Sequence, residues 1–280
     1  MPKFEITELA RKFAPWSFSK MEAAETCPAQ FGHKHVTKTG AAPAPSDTKV
    51  GIVAHEILEH RTGGTAAPEA RKLALAKNPL TDGELEMLRT LNGNMESFLK
   101  RFDTFCKTQG VTEVLCEKDW AFNDVYEKTG FFDKNVYFRG KLDLGAITRD
   151  RDLFFIDHKA GAVKKLGEDR VKREQLQSYA VLALVNVPNL SGVRGGINFL
   201  QADDAETQIQ WGDYVPASRV RDLYVGWLFQ RVNRAADNLL EPFEARPAKS
   251  RMKKDNRPGF PCGWCSYTAS CAAFQEKFGG

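Results

Sequence analysis

The chain has 280 residues, 42% of them hydrophobic and 27% charged, with a formal net charge of +4. That length supports one sizeable core or one domain carrying a large insertion, and so mild a positive balance points to no partner by itself; where the cations lie matters more. No run of 18 or more apolar residues spans a membrane, and the opening "MPKFEITELARKF" lacks a secretory signal, so the expectation is a cytoplasmic, reducing setting in which clustered cysteines bind metal more often than they pair.

The opening third reads as helical around a loop. In "SFSKMEAAETCPAQFGHKHV", Pro28 limits a helix arriving from upstream and places Cys27 near a helix end. A polar Gly/Pro/Ala-rich connection at 37–48 precedes the helix "GIVAHEILEHR", where Ile52, His55 and Leu58 share a face and Glu59 lies one turn beyond His55. After "TGGTAAPEA", the residues Leu85, Leu88, Leu91, Phe98, Phe102 and Phe105 form one apolar stripe on a long helix.

From residue 113 the period shortens. "EVLCEKDWAF", "VYFRGKLDLGAI" and "DLFFIDHK" read as strands of a meander, followed by a helix over about 173–186, the strand "VRGGINFLQ", a short strand within 206–212 and the amphipathic helix "PASRVRDLYVGWLFQRVNRAADNLL". This order predicts a mixed α/β core rather than a doubly wound nucleotide fold. The expected organisation is one domain over 1–280, with a helical insertion near 50–110, a core near 111–245, and a cysteine-rich region at 258–280 closing onto Cys27.

Chemistry concentrates in "RGKLDLGAITRDRDLFFIDHKAG". Asp157 closes an apolar strand and Lys159 follows two residues later, on the same side. A hairpin between 147 and 153 folds Asp143 onto the neighbouring strand. Two carboxylates on rigid strands suit a hard divalent cation such as Mg2+ or Mn2+. A lysine beside them can orient water or stabilise charge on a phosphoryl group. Asp-x-Lys alone is a common triplet, and Asp150 and Asp152 read as turn residues. His55 sits in an amphipathic helix, where a histidine is ordinarily a core or boundary residue; if the helix lies over the sheet, its imidazole completes the ligand set. Gln175 and Tyr179, four apart, share a helical face. They are either the polar edge of that helix or contacts to a phosphate or water.

Cys262 and Cys265 have metal-chelating spacing, with Cys271 close behind. Cys106 and Cys116 occupy positions conventional for buried thiols, so Cys27 is the better fourth ligand. Spacing leaves zinc and iron–sulfur both open.

In order along the chain stand the serine-rich segment before Cys27-Pro28, "GIVAH", "GKLD", "FFIDHK", "QLQSY" and Cys-x2-Cys-x5-Cys. Together they resemble the RecB-like branch of the PD-(D/E)XK nuclease superfamily, in particular iron–sulfur members such as AddB nuclease domains and Cas4-type exonucleases. The resemblance implies a restriction-endonuclease-like mixed central sheet flanked by helices, with an N-terminal helical subdomain and a C-terminal iron–sulfur clasp. It implies that His55, Asp143, Asp157 and the main-chain carbonyl of His158 ligate the catalytic Mg2+ or Mn2+, that Lys159 is the catalytic lysine, that Gln175 and Tyr179 support it, and that Glu117 is accessory. It also implies a [4Fe–4S] cluster on Cys27, Cys262, Cys265 and Cys271. Ala160 departs from the threonine or serine that relatives commonly place after the lysine.

The expectation is therefore a metal-dependent DNA nuclease, an exonuclease rather than an endonuclease, in DNA recombination, repair or bacteriophage DNA metabolism. Lys164, Lys165, Arg170, Lys172 and Arg173 are candidates for tracking the DNA backbone. No Walker pattern is present, so the expectation is a stand-alone nuclease or a small subunit of a larger machine, with a helicase, recombinase or single-strand-binding protein as candidate partner. The competing readings are an inactive nuclease-like DNA-binding subunit and a zinc-stabilised nucleic-acid-binding protein.

Overall fold

Side-chain caps open the N-terminal helices of the computed structural model, which describes residues 5–42, 45–161, 163, 165–239, 261–262 and 265–278. Thr7 accepts from the Ala10 amide ahead of α1 (Glu8–Lys12), and Ser17 from the Lys20 amide ahead of α2 (Phe18–Thr26). Cys27 ends α2 in an extended conformation, and Pro28 starts α3 (Pro28–Phe31), which a π-helical turn over Gly32–Val36 continues.

Three further helices, α4 (Ser46–Thr62), α5 (Ala67–Lys77) and α6 (Asp82–Thr108), precede the sheet. On α4 the buried stripe is Val50, Val53, Ala54, Ile57 and Leu58, a helical spacing that faces one core. Ile52, expected on the inner face, points outward and is 44% exposed. A capping box starts α6: Thr81 Oγ1 receives the Glu84 amide and the Glu84 carboxylate returns to Thr81 N. Leu88, Leu91, Met95 and Phe98 then bury one face of it, and Phe102 and Phe105 continue the row as stacked rings.

The period-two segments form a five-stranded sheet in chain order: β1 (Val111–Asn123), β2 (Val136–Thr148), β3 (Asp152–Lys159), β4 (Gly192–Phe199) and β5 (Ile209–Pro216). Neighbours are antiparallel except β3 and β4, which are parallel. A parallel pair needs a crossover, supplied here by α7 (Arg170–Asn186). The short helix α8 (Ala205–Gln208) leads into β5; α9 (Ala217–Arg219) and a π-helical turn over Val220–Tyr224 lead into α10 (Val225–Asp237), and α11 (Ala272–Phe278) follows near the C-terminus.

Two hydrophobic cores sandwich the sheet. One joins it to α7, α10 and the first helices through Phe122, Phe138, Phe155, Leu176 and Phe229. The other joins it to α4 and α6 through Leu58, Phe98, Leu144 and Ile156. Gly140 makes the first packing possible, because a Cβ there would stand 2.8 Å from Leu182 and 3.3 Å from Tyr179.

Candidate functional site

Strand pairing decides where the acidic residues meet. Leu144 pairs with Ile156 across β2 and β3, which brings the neighbouring Asp143 and Asp157 to adjacent strands. Side-chain alternation on β2 changes phase here: Leu142 packs into the α7 core, yet Leu144, two residues on, packs into the α4–α6 core. Asp143 stands at that change of phase. On the facing strand Glu117 has a left-handed backbone, φ 49°, rare for a residue with a long side chain. Helix α4 lies close over this point because Gly51 faces Ala160, whose Cβ would be 3.0 Å from a Cβ at Gly51. A glycine costs an exposed helix about 1 kcal/mol, but here it permits the approach that carries His55 to the sheet.

One ligand atom each from His55, Glu117 and Asp143 lies within 4.8 Å of the other two. His55 Nδ1 is 3.6 Å from Asp143 Oδ2, and that oxygen accepts from the His158 amide at 2.8 Å. Lys141 Nζ pairs with Glu117 Oε2 at 2.5 Å. Asp157 has different partners: Lys159 Nζ is 2.7 Å from Oδ2, and Gln175 Nε2 donates to Oδ1 at 2.9 Å. A cleft of about 700 Å3 opens on the group, lined by His55, Glu117, Lys141, Asp143 and Lys159.

Burial, and secondarily the Asp157 charge, holds the Asp143 carboxyl well above the usual carboxylate range. Burial likewise raises Glu117, although Lys141 opposes it. Burial lowers His55, favouring the neutral imidazole that can ligate. For Lys159 burial acts downward, but the Asp157 carboxylate outweighs it and the amine is raised. The donor set is one imidazole and two carboxylates, with a buried carboxyl whose charged form is disfavoured until a cation compensates it. These residues fit a divalent ion such as Mn2+ or Mg2+.

The structure brings His55, Asp143 and the accessory candidate Glu117 together, while the Asp157 carboxylate beside them contacts Lys159 and Gln175. His158 turns its ring into the α4–α6 core, edge-on to Phe98 and 2.9 Å from Asn198 Nδ2. Tyr179 donates to the Lys141 carbonyl at 2.9 Å, fixing α7 against β2. The basic segment is internally engaged. Lys165 lies 3.8 Å from Glu168, Arg170 3.8 Å from Glu174 and Lys172 3.4 Å from Asp169, while Arg173 donates to the Leu166 and Gly167 carbonyls. Lys164 lies outside the described residues. Lys141 and Asn198 were missed by the sequence reading; Lys141 stood inside "GKLD", and Asn198 was an isolated polar residue in the apolar "GINFL".

The expected [4Fe–4S] cluster is corrected. Among the described residues, the His, Cys, Asp and Glu side chains that close into a metal-binding group are His55, Glu117 and Asp143, and no cysteine belongs to such a group. A four-iron cluster needs four thiolates on one centre. Cys27, Cys262 and Cys271 are near enough to add to the upward shift that burial gives Cys265, but their sulfurs form no ligand set. Contacts other than a cluster join the two ends: the Ala42 amide donates to the Ser266 carbonyl at 2.8 Å, and His33 stacks on Tyr267 at 5.6 Å.

A family model described as the PD-(D/E)XK nuclease superfamily matches residues 15–272. Among solved structures, the chain is similar to a candidate exonuclease from Eubacterium rectale, at 11% identity and a TM-score of 0.49, over 88% of this chain and 93% of that one. It is also similar to the protein SSO0001, at 13% identity and a TM-score of 0.31, over 95% of each chain. No curated protein sequence matches the chain significantly. No helix among the described residues is long and apolar enough to cross a membrane.

Proposed function

This chain belongs to the PD-(D/E)XK nuclease superfamily, and we propose that it hydrolyses DNA phosphodiester bonds with Mg2+ or Mn2+, acting as an exonuclease. Its fold is mixed α/β and restriction-endonuclease-like, with helices ahead of the sheet. The observation that carries the reading is the convergence of His55, Glu117 and Asp143 in one cleft with Lys159, whose amine is held by Asp157. The order of these residues along the chain supports the RecB-like branch, and with it a role in recombination, repair or phage DNA metabolism beside a helicase, recombinase or single-strand-binding partner.

His55, Glu117 and Asp143 would hold the cation, which supplies Lewis acidity toward a phosphodiester. Lys159 places a positive charge at the cleft, where it stabilises the negative charge that builds on the phosphate oxygens as water adds to phosphorus. Asp157 keeps that amine protonated and aimed. Gln175 fixes the other oxygen of Asp157, so the carboxylate cannot rotate away. Tyr179 ties α7 to the Lys141 main chain and keeps Gln175 in register. Hydrolysis breaks one P–O bond and leaves a phosphate on one end and a hydroxyl on the other.

Digestion of end-labelled single- and double-stranded DNA with Mg2+ or Mn2+, with covalently closed circles as control, tests the reading. Linear DNA is expected to be degraded and circles to persist, with Asp157→Ala inactive at unchanged circular dichroism. Equal rates in the two proteins, or no degradation by either, would overturn it in favour of a nuclease-like binding subunit. Cleavage of circles would replace the exonuclease by an endonuclease.

A further inference from the structure

The turn between β1 and β2 carries an aromatic group that the reaction does not use. Phe132 is 84% exposed, yet the turn beneath it is tightly built: the Gly130 amide and Thr129 hydroxyl both donate to Asp133 Oδ2, at 2.7 and 2.8 Å. Phe131 meets Phe132 edge-on, with centroids 5.1 Å apart. Behind them the Arg139 guanidinium lies 4.7 Å from the Phe131 centroid and 5.8 Å from that of Phe132, and its Nη1 donates to the Phe131 carbonyl at 3.0 Å. Among the described residues, no acidic side chain forms an ion pair with Arg139 within 4.0 Å.

Arg139 also walls a second cavity, of about 290 Å3, together with Lys141, Lys159, Gln175 and Tyr179. Lys141 and Lys159 line the metal-site cleft as well, so the two cavities share these residues. Arg139 and Lys141 project to the same side of β2. The four-residue step from Arg139 to Asp143 spans about 13 Å at strand rise, the reach of a short piece of extended single strand.

We propose that Phe132, backed by Phe131 and Arg139, stacks on an unpaired nucleobase of a DNA strand whose phosphates follow Arg139 and Lys141 toward Lys159. A single exposed ring beside a cation is too small for a protein interface, which needs a contiguous apolar patch. It matches the sequence-tolerant stacking and backbone tracking of single-strand recognition. The proposal rests on the DNA reading above and names the form of DNA that reading leaves open.

The test is binding in EDTA, where cleavage is absent, of a single-stranded oligonucleotide carrying the fluorescent base 2-aminopurine, with a blunt duplex alongside. The full chain is expected to quench the fluorophore. Phe132→Ala should abolish the quench and weaken single-strand binding about 5- to 100-fold, leaving the blunt duplex unchanged, whereas Phe132→Trp should retain both. Val125→Ala, at another exposed apolar residue of the same hairpin (62% exposed), should behave as wild type. Unchanged binding and quenching in Phe132→Ala, or an equal loss in Val125→Ala, would overturn the proposal. The two readings fail separately: cleavage that depends on Asp157 but not on Phe132 removes this one alone, whereas quenching by a protein that cleaves nothing removes the nuclease alone.

Discussion

The Gln175 side-chain amide donates to Asp157 Oδ1 across 2.9 Å, which links α7 to the end of β3 beside the Asp157–Lys159 pair. Removing that donor frees one oxygen of a carboxylate that is only 4% exposed. Misplacing a residue that positions a reacting group can cost up to about 100-fold. Gln175→Ala is accordingly expected to lower the cleavage rate about 10- to 100-fold while Asp157→Ala abolishes it, as measured on end-labelled DNA at saturating Mn2+.

Metal affinity should rise with pH. Burial raises both Asp143 and Glu117, so a cation must displace protons that ordinary carboxyls would already have lost. For stability the sign is the reverse of an exposed ion pair: a carboxyl raised in the folded state contributes stability below its unfolded value, and that contribution is lost as pH rises through the folded value. Calorimetric titration with Mn2+ should show weaker binding at pH 6 than at pH 8 and at least tenfold loss in Glu117→Gln. Without metal, Asp143→Asn should melt higher than wild type at neutral pH, and the gap should close toward acid.

Arg231 joins three helices. Its guanidinium binds Glu25 of α2 at 3.0 and 2.8 Å and lies 2.9 Å from Glu174 of α7, with a side chain only 4% exposed. Breaking a buried pair by deleting one partner costs about 3–5 kcal/mol, and the 28% exposure of the Glu25 side chain favours the lower end. Arg231→Met should therefore lose about 3 kcal/mol in urea denaturation, whereas Arg231→Lys, which keeps the charge without the fork, should lose less.

Glu84 reports on α6. Its pKa is lowered to about 2, first by the Thr81 backbone N–H and then by the Ser46 hydroxyl. A depressed carboxylate contributes stability above its unfolded value, about 4.3, and loses it as pH falls toward 2. Glu84→Gln should thus melt below wild type at pH 6, with a gap that narrows between pH 4.5 and pH 2 in thermal scans.

Much of the element order was readable because local patterning encodes it. "DLFFIDHK" coincides with β3, and the α7 helix extends the expected segment by only three residues at its start. The face of α4 was only partly readable: of Ile52, His55 and Leu58, expected on one side, Leu58 is buried, but the stripe runs through Val50, Val53, Ala54 and Ile57 and leaves Ile52 exposed, because contact with α5, α6 and strands β1 and β2 selects which side is covered. The left-handed backbone at Glu117, which sets where its carboxylate points, leaves no mark in the alternation of residue types. The cysteine spacing was legible, but spacing fixes only the distance along the chain. It does not fix whether four sulfurs converge.

The sequence by itself determined which residue types could do chemistry and on which elements they ride, because helical and strand periods are local properties of the backbone. Only the tertiary structure decided which of them meet. The pairing of β2 with β3, the change of phase at Asp143 and the approach of α4 at Gly51 are long-range contacts. They placed Glu117 with His55 and Asp143, and they left Asp157 to hold Lys159.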